Sequence, residues 1–263
     1  MTIPLYTASL ERRRLSPQTI RLRLFYIRKL AEYLDLDTAT PDELEAFVAH
    51  HQDRWKPATV NSVIASIRSY YSWATRTGRI PTNPAVDLVA PRVYRTPQRM
   101  ATDAEIRHGL DTADLTDQAM ILLGAECGLR VSEIAALHRD NRDGEWLTLI
   151  GKGGKQRTVW LSPELAQMLD LIEQTRMRWG HYFPGKSGGH VHPSTVWRHV
   201  RGTTGVPTHS LRRRAITTVY NAGKDIRAAQ EFAGHEKVET TAIYVQVIRD
   251  TLRTAGEAAR IAA

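Results

Sequence analysis

The sequence predicts a mainly α protein with one small antiparallel sheet, and three observations carry that expectation. Apolar residues recur at helical spacing between recognisable caps along most of the chain. One stretch breaks the period: two β-rich runs, 146–150 and 158–161, flank a glycine-rich tip. A Pro/Arg segment with no period, 90–99, separates a purely helical first part from the part that holds the strands.

Taken in order, Ser16-Pro17 reads as an N-cap with proline at the first helical position. After it Ile20, Leu24, Ile27, Ala31 and Leu34 share a face, with Arg21, Arg23, Arg28 and Lys29 between them. Thr40-Pro41-Asp42-Glu43 is a capping box that opens a second helix. Lys56-Pro57 opens a third, with Val60, Ile64, Ile67, Tyr71 and Ala74 on one face and Gly78 at its end. Asn83-Pro84 predicts a short fourth helix through Leu88. These elements make a small helical bundle over 1–90, followed by a basic linker over 91–101.

The second domain, 102–263, opens on another capping box, Thr102 to Glu105. Helices are expected through Leu110, from Thr116 to Cys127 and from Ser132 to Leu137. Beyond the hairpin they resume at Ser162-Pro163-Glu164, near Pro193, from His209 to Asn221 and from Asp225 to Phe232. A short helix around Tyr244 and a tail helix over 250–262 complete the chain, and 185–189 is a surface loop.

A chain of 263 residues has room for two modest domains, and its 42% apolar content is ordinary for a folded protein. The net charge of +8 favours an anionic polymer as partner, although on charge alone a merely basic protein is the plainer account. The single cysteine, Cys127, excludes an internal disulfide and a cysteine-based zinc site, and its apolar surroundings predict a buried hydrophobe. No run of 18 apolar residues and no signal peptide are present, so no membrane partner and a cytoplasmic location are expected.

Four short motifs carry chemistry. In Gly128-Leu129-Arg130-Val131-Ser132-Glu133 the glycine permits a turn and Arg130 projects from a helix start that already favours anions. Glu133, three residues on, can orient that guanidinium. The hairpin tip holds Lys152 and Lys155, either of which can protonate a departing oxygen. A phosphate-binding P-loop does not match there, because Gln156 follows Lys155 and the loop joins two strands. His209 and Arg212 share one helix face and offer proton transfer beside bidentate phosphate contact. His235 follows Gly234, and Tyr244 comes nine positions later. A phenol with an ordinary pKa of about 10 becomes a nucleophile where cations hold an anionic electrophile and neighbours move protons. Alone, each motif has a plainer account: a surface ion pair, a solvated hairpin, a basic helix start, a packed tyrosine. His181, His190 and His192 are read as surface residues with no metal, and Arg213 and Arg214 as phosphate contacts or solvated side chains.

In this order the motifs resemble those of the tyrosine recombinases, a family that includes phage integrases, Xer-type resolvases and Cre. The family pattern is a G-L-R-x-S-E box, a G-K-G-x-K-x-R hairpin, H-x-L-R, G-H and a tyrosine nine residues later; every element is present from Gly128 to Tyr244. Many members carry a second histidine after the H-x-L-R arginine, where this chain has Arg213.

The resemblance implies a SAM-like core-binding bundle joined to a mixed α+β catalytic domain. It implies that Tyr244 attacks the scissile phosphate to form a 3′-phosphotyrosine, that Arg130 and Arg212 hold the non-bridging oxygens, and that Lys152, the first lysine of the hairpin, protonates the leaving 5′-oxygen, with Lys155 the competitor. His209 and His235 assist proton transfer and phosphate binding, and Glu133 braces Arg130. Bond energy is kept in the phosphotyrosine, so no cofactor, neither ATP nor metal, is implied. Expected partners are a double-stranded core site with an inverted repeat, three further copies of the chain in a synaptic tetramer joined through the 250–262 helix, and an accessory directionality protein. The two domains would clamp the duplex, with Arg21, Arg23, Arg28, Lys56, Arg68, Arg92, Arg95 and Arg99 as phosphate contacts. No room for an arm-binding domain exists before Ser16, so the expectation is a compact integrase of a phage or mobile element. The alternatives are an Xer-like resolvase and, further off, a type IB topoisomerase or a cleavage-dead DNA-binding protein of the same fold.

Overall fold

The computed structural model describes residues 2–51, 53–93, 99–151 and 154–235. The chain divides into two compact units, Met1–Thr96 and Pro97–Ala263.

The first unit is all helical among its described residues: α1 Thr2–Arg12, α2 Pro17–Ala31, α3 Pro41–His51 and α4 Pro57–Arg76. Ser16 caps α2 through its side chain, with Pro17 in the first turn. Thr40 and Glu43 exchange hydrogen bonds across the start of α3. The apolar stripes converge on a core rich in rings, in which Tyr6, Phe47, Tyr70 and Tyr71 are fully buried. Sequence reading had no signal for α1; Tyr6 and Leu10 fix it by burying completely. The short helix expected at 83–88 is instead a turn, because the Asn83 side chain takes the backbone N–H of Ala85 at 3.0 Å and closes an Asx-type turn.

The second unit runs α5 Asp103–Thr112, α6 Leu115–Ala125, α7 Val131–Ala136, a 3₁₀ turn Arg139–Asn141, and strands β1 Arg142–Asp143, β2 Trp146–Ile150 and β3 Gln156–Trp160. Helices α8 Pro163–Thr175, α9 Pro193–Thr204, α10 Thr208–Gly223 and α11 Ile226–Ala233 follow. The sheet is antiparallel in the order β1-β2-β3, with Leu149 opposite Arg157 and Leu147 opposite Val159. Strands β2 and β3 alternate out and in, so Leu147, Leu149 and Val159 reach the core while Trp146 and Trp160 stay outside. The two-residue β1 gave no sequence signal, being too short for a period. Helix α6 is buried along most of its length and packs on α10, so the middle of the unit is one continuous apolar cluster. Cys127 lies in it, fully buried, with its thiol pushed up to about 12 by desolvation.

Candidate active site

Three chain turns build the site. The first follows α6, where Gly128 adopts a left-handed conformation at φ +62°. A Cβ there would come within 2.8 Å of the Phe232 ring, so glycine serves both the turn and the close approach of α11. Arg130 is the N-cap of α7, with extended backbone. Its backbone N–H and its Nη1 both donate to the Glu133 carboxylate at 2.8 Å.

The second turn ends α11. Gly234 takes the left-handed C-cap position at φ +59°, and His235 leaves the helix immediately after it. The Gly234 carbonyl accepts from Arg130 Nη2 at 3.2 Å, which ties the two turns together.

The third contribution comes from the first turn and a half of α10. Arg212 is 2% exposed. Its guanidinium donates to the Gly128 carbonyl, to the Ala233 carbonyl at 2.5 Å and to His235 Nε2 at 3.2 Å. Those carbonyls end α11 and the α6 turn, where helix dipoles favour a cation. Because guanidinium only donates, His235 accepts at Nε2 and carries its ring proton on Nδ1. His209 lies three residues earlier on the same helix, exposed, and near enough to Arg213, Arg212 and Arg130 to feel their charges.

The electrostatics follow. Burial first, then Arg212, Arg130, Arg157 and His209, pulls His235 down to about 4, so its ring is neutral at pH 7. His209 is lowered by partial desolvation first and then by the same arginine cluster. Burial acts to raise Glu133, but hydrogen bonds and charge from Arg157 and Arg130 outweigh it and hold the carboxyl at about 2. A cavity of about 890 Å³ opens over the group, with Arg130, Glu133, Lys155, Arg157, Gly234 and His235 in its wall. Lysine and arginine donors around such a space suit a phosphate.

Of the residues singled out from sequence, Arg130, Glu133, Arg212 and His235 therefore meet, with His209 at their edge. Lys152, Tyr244 and the 250–262 tail lie outside the described residues, as does Arg95. Two expectations need correction. Arg214 is neither solvated nor turned to a phosphate: it pairs with Asp103 at 2.7 Å and with the Ala125 carbonyl. Arg213 is buried, at 7% exposure, and so is not a solvated side chain. Among the histidines, His190 and His192 are exposed and His192 caps α9, but His181 is half-buried with its ring 4.8 Å from that of His138. Among the described residues no group of three His, Cys, Asp or Glu side chains is arranged to hold a metal.

Sequence reading gave no role to Arg157, the arginine that closes the G-K-G-x-K-x-R hairpin pattern. It is buried at an inward position of β3 and binds both carboxylate oxygens of Glu133, at 2.6 and 3.0 Å. The signal was present: strand alternation turns Arg157 inward, and an inward arginine requires a carboxylate.

In the first unit, a second basic feature lies between α1, α2 and α4. Arg13, Arg23, Arg68 and Arg76 surround a notch of about 310 Å³ with Ser69 and Ser72. Arg23 donates to Ser69 at 2.8 Å, and Tyr6 holds the same hydroxyl from below at 2.9 Å. Of the other candidates, Arg21, Arg28, Lys56 and Arg92 are exposed, whereas Arg99 is paired with Glu105.

Comparisons with known proteins bear on the family and the fold. Residues 97–250 match the model of the phage integrase family, and residues 3–78 match that of the phage integrase N-terminal SAM-like domain. A tyrosine recombinase XerC of Xanthomonas campestris pv. campestris (strain B100) is 32% identical over 229 residues, covering 81% of this chain and 70% of the relative. A tyrosine recombinase XerD of Lacticaseibacillus casei is 28% identical over 226 residues, covering 78% and 77% of the two chains. In fold, the chain is similar to a lambda integrase dimer bound to a COC′ core site, at a TM-score of 0.75 and 17% identity over 92% of this chain and 75% of that one. No described helix is long and apolar enough to cross a membrane.

Proposed function

We propose a reaction path for this site from the premise that the chain belongs to the phage integrase family and is a tyrosine-type site-specific DNA recombinase, an enzyme that cuts and rejoins DNA strands. Tyr244 attacks the scissile phosphorus, its phenolic proton is taken up within the site, and the bond to the 5′-oxygen breaks. The 3′-phosphate remains on the tyrosine, and Lys152 supplies the proton that makes the leaving oxygen a hydroxyl. Arg130 and Arg212 take the non-bridging oxygens and stabilise the added charge of the transition state. His235, neutral with its proton on Nδ1, donates to the phosphate, and His209 assists proton movement. Rejoining is the same step reversed with a different 5′-hydroxyl, so no external energy source enters.

The observation that supports this reading is that the end of α11 is held from two sides: Arg130 bonds the Gly234 carbonyl, Arg212 bonds the Ala233 carbonyl and His235 Nε2, and Arg130, Gly234 and His235 face one cavity. The substrate is a duplex core site, gripped in part by a backbone phosphate in the Arg13/Arg23/Arg68/Arg76 notch, and the working assembly is a tetramer on two such sites. Domain boundaries at the 91–101 linker follow from the same reading. Integration of a phage or mobile element is the activity favoured here, in line with the match to the phage integrase family. Xer-like resolution is the second reading, favoured by the identity to XerC.

A nicked duplex bearing the core site selected from random DNA tests the chemistry. Wild type should be trapped as a covalent adduct, and Tyr244→Phe should lose the adduct while keeping its affinity. Loss of binding with Tyr244→Phe, or no adduct with wild type, overturns the assignment. Two-site substrates in direct, inverted and intermolecular arrangement separate integration from resolution.

A further inference from the structure

One buried cation in the catalytic unit has no part in the path above. Arg157 sits on β3 with its side chain 4% exposed. Both terminal nitrogens bind the Glu133 carboxylate, at 3.0 and 2.6 Å, and that same carboxylate receives the backbone N–H and Nη1 of Arg130 at 2.8 Å. One anion thus organises two guanidinium groups, of which one is enclosed and the other faces the cavity. The trio carries one net positive charge; without Arg157 the remaining pair is neutral, and the attraction of Arg130 for a phosphate is largely cancelled by Glu133.

Arg157 also touches the two other parts of the site. Gly234 lies against it so closely that a Cβ there would be 3.0 Å from Arg157 Cδ and Nη1. Along β3, Arg157 pairs with Leu149 and Gln156 with Ile150, and the Gly151 N–H closes the base of the hairpin tip on the Lys155 carbonyl at 2.7 Å. Lys155, two residues before Arg157, lines the cavity. The anchoring of one strand residue therefore sets where the lysine-bearing tip begins.

We propose that Arg157 is a positioning residue for strand transfer: through Glu133 it aims Arg130 and keeps its charge effective, and through β3 it registers the hairpin tip against the Gly234–His235 turn. This inference rests on the reaction path proposed above. Its charge is also among those that hold His235 neutral, which provides a readout that a purely structural residue would not move.

The test uses full-length protein and the same nicked core-site duplex, with single-turnover adduct formation, DNA affinity and a pH–rate profile for each variant. Arg157→Met should slow adduct formation by about 10–100-fold, the usual scale for loss of a group that orients a catalytic one, with DNA affinity nearly unchanged. Its acid limb should move to higher pH, because His235 is relieved of one repulsive charge. Arg157→Lys keeps the charge but loses the two-pronged contact, so it should restore the acid limb and not the full rate. In a Glu133→Gln background, Arg157→Lys should cost little more, since the route runs through Glu133. A wild-type rate and an unshifted profile in both Arg157 variants overturn the proposal. So does an equal slowing by Arg157→Lys with and without Glu133→Gln. Should Arg157→Met fail to melt cooperatively, Arg157→Lys decides alone. Absence of an adduct with wild type would sink the reaction path itself, whereas a wild-type adduct formed at the same rate by Arg157→Lys sinks only the role given to Arg157.

Discussion

The two units solve the problem of a core in opposite ways. The bundle buries rings: Tyr6, Tyr70 and Trp73 pack with centroids 5.2 to 5.7 Å apart, and its buried polar residues, Ser9, His51 and Ser66, include no permanent charge. The catalytic unit buries Arg157, Arg212 and Arg213. A desolvated guanidinium costs several kcal/mol unless nearly every donor is satisfied. For Arg212 the carbonyls of Gly128 and Ala233 take that role, and for Arg157 the carboxylate of Glu133 does. The bundle, whose arginines rim a notch at its surface, fills its interior with apolar volume, while the catalytic unit builds charge into its interior and fixes its direction there.

The largest effect expected from breaking this contrast is at Arg212. Arg212→Ala removes a preorganised donor and should slow adduct formation by about 10²–10³-fold, measured by single-turnover trapping at saturating DNA. A loss of a few-fold would reduce this side chain to a tether. Next comes acid lability. Glu133 is held at about 2 and His235 at about 4, both below their ordinary values. For each, the folded protein binds fewer protons than the unfolded chain, so stability falls as pH is lowered. The window opens near 6.5 for His235, the ordinary value of its free side chain, and near 4.5 for Glu133. Urea midpoints between pH 7 and 3 should drop, and Glu133→Gln should flatten the lower part of that slope; an unchanged slope would mean the carboxylate is not stabilised by its setting.

Smaller again is Gly234→Ala. The left-handed position costs about 1–2 kcal/mol for a residue with a Cβ, and the contact with Arg157 adds to it. Melting should show the loss, and an Ala variant as stable as wild type would remove the glycine's reason. In the bundle, Arg68→Ala should lower the slope of log affinity against log salt by about 0.9, without altering adduct formation at saturation. The smallest effect is expected for Tyr71→Phe. The Tyr71 hydroxyl is buried with no hydrogen-bond partner among the described residues, and burial pushes its pKa up. Removing it should change stability by less than about 1 kcal/mol, or raise it; a large loss would reveal a partner.

Much of this was legible in the residues. The caps at Ser16, Thr40, Thr102 and Ser162 announced helices because local hydrogen bonds decide such starts. The hairpin was legible because β-rich runs flank glycines. Helix α1 was not, since its two anchors, Tyr6 and Leu10, are fixed only by distant partners such as Ser69. The Asn83 turn was misread because a single side-chain contact overrode a helix-like dipeptide. In the site, the ordered motifs pointed to Arg130, Arg212 and His235 through family likeness. That Arg212 clamps two turns, and that Glu133 serves two arginines, depends on contacts between residues 21 to 84 positions apart, which no local pattern encodes.

The shared carboxylate of Glu133 constrains how this protein can be altered. Replacing it by a neutral group strands two cations at once, and replacing either arginine hands the anion wholly to the other. Glu133 and Arg157 are therefore expected to vary together more readily than singly, while Arg130, which takes the phosphate, stays. A library that randomises either partner alone should return little besides the starting residue, whereas one that randomises the pair is where altered but working versions of this catalytic centre are to be sought.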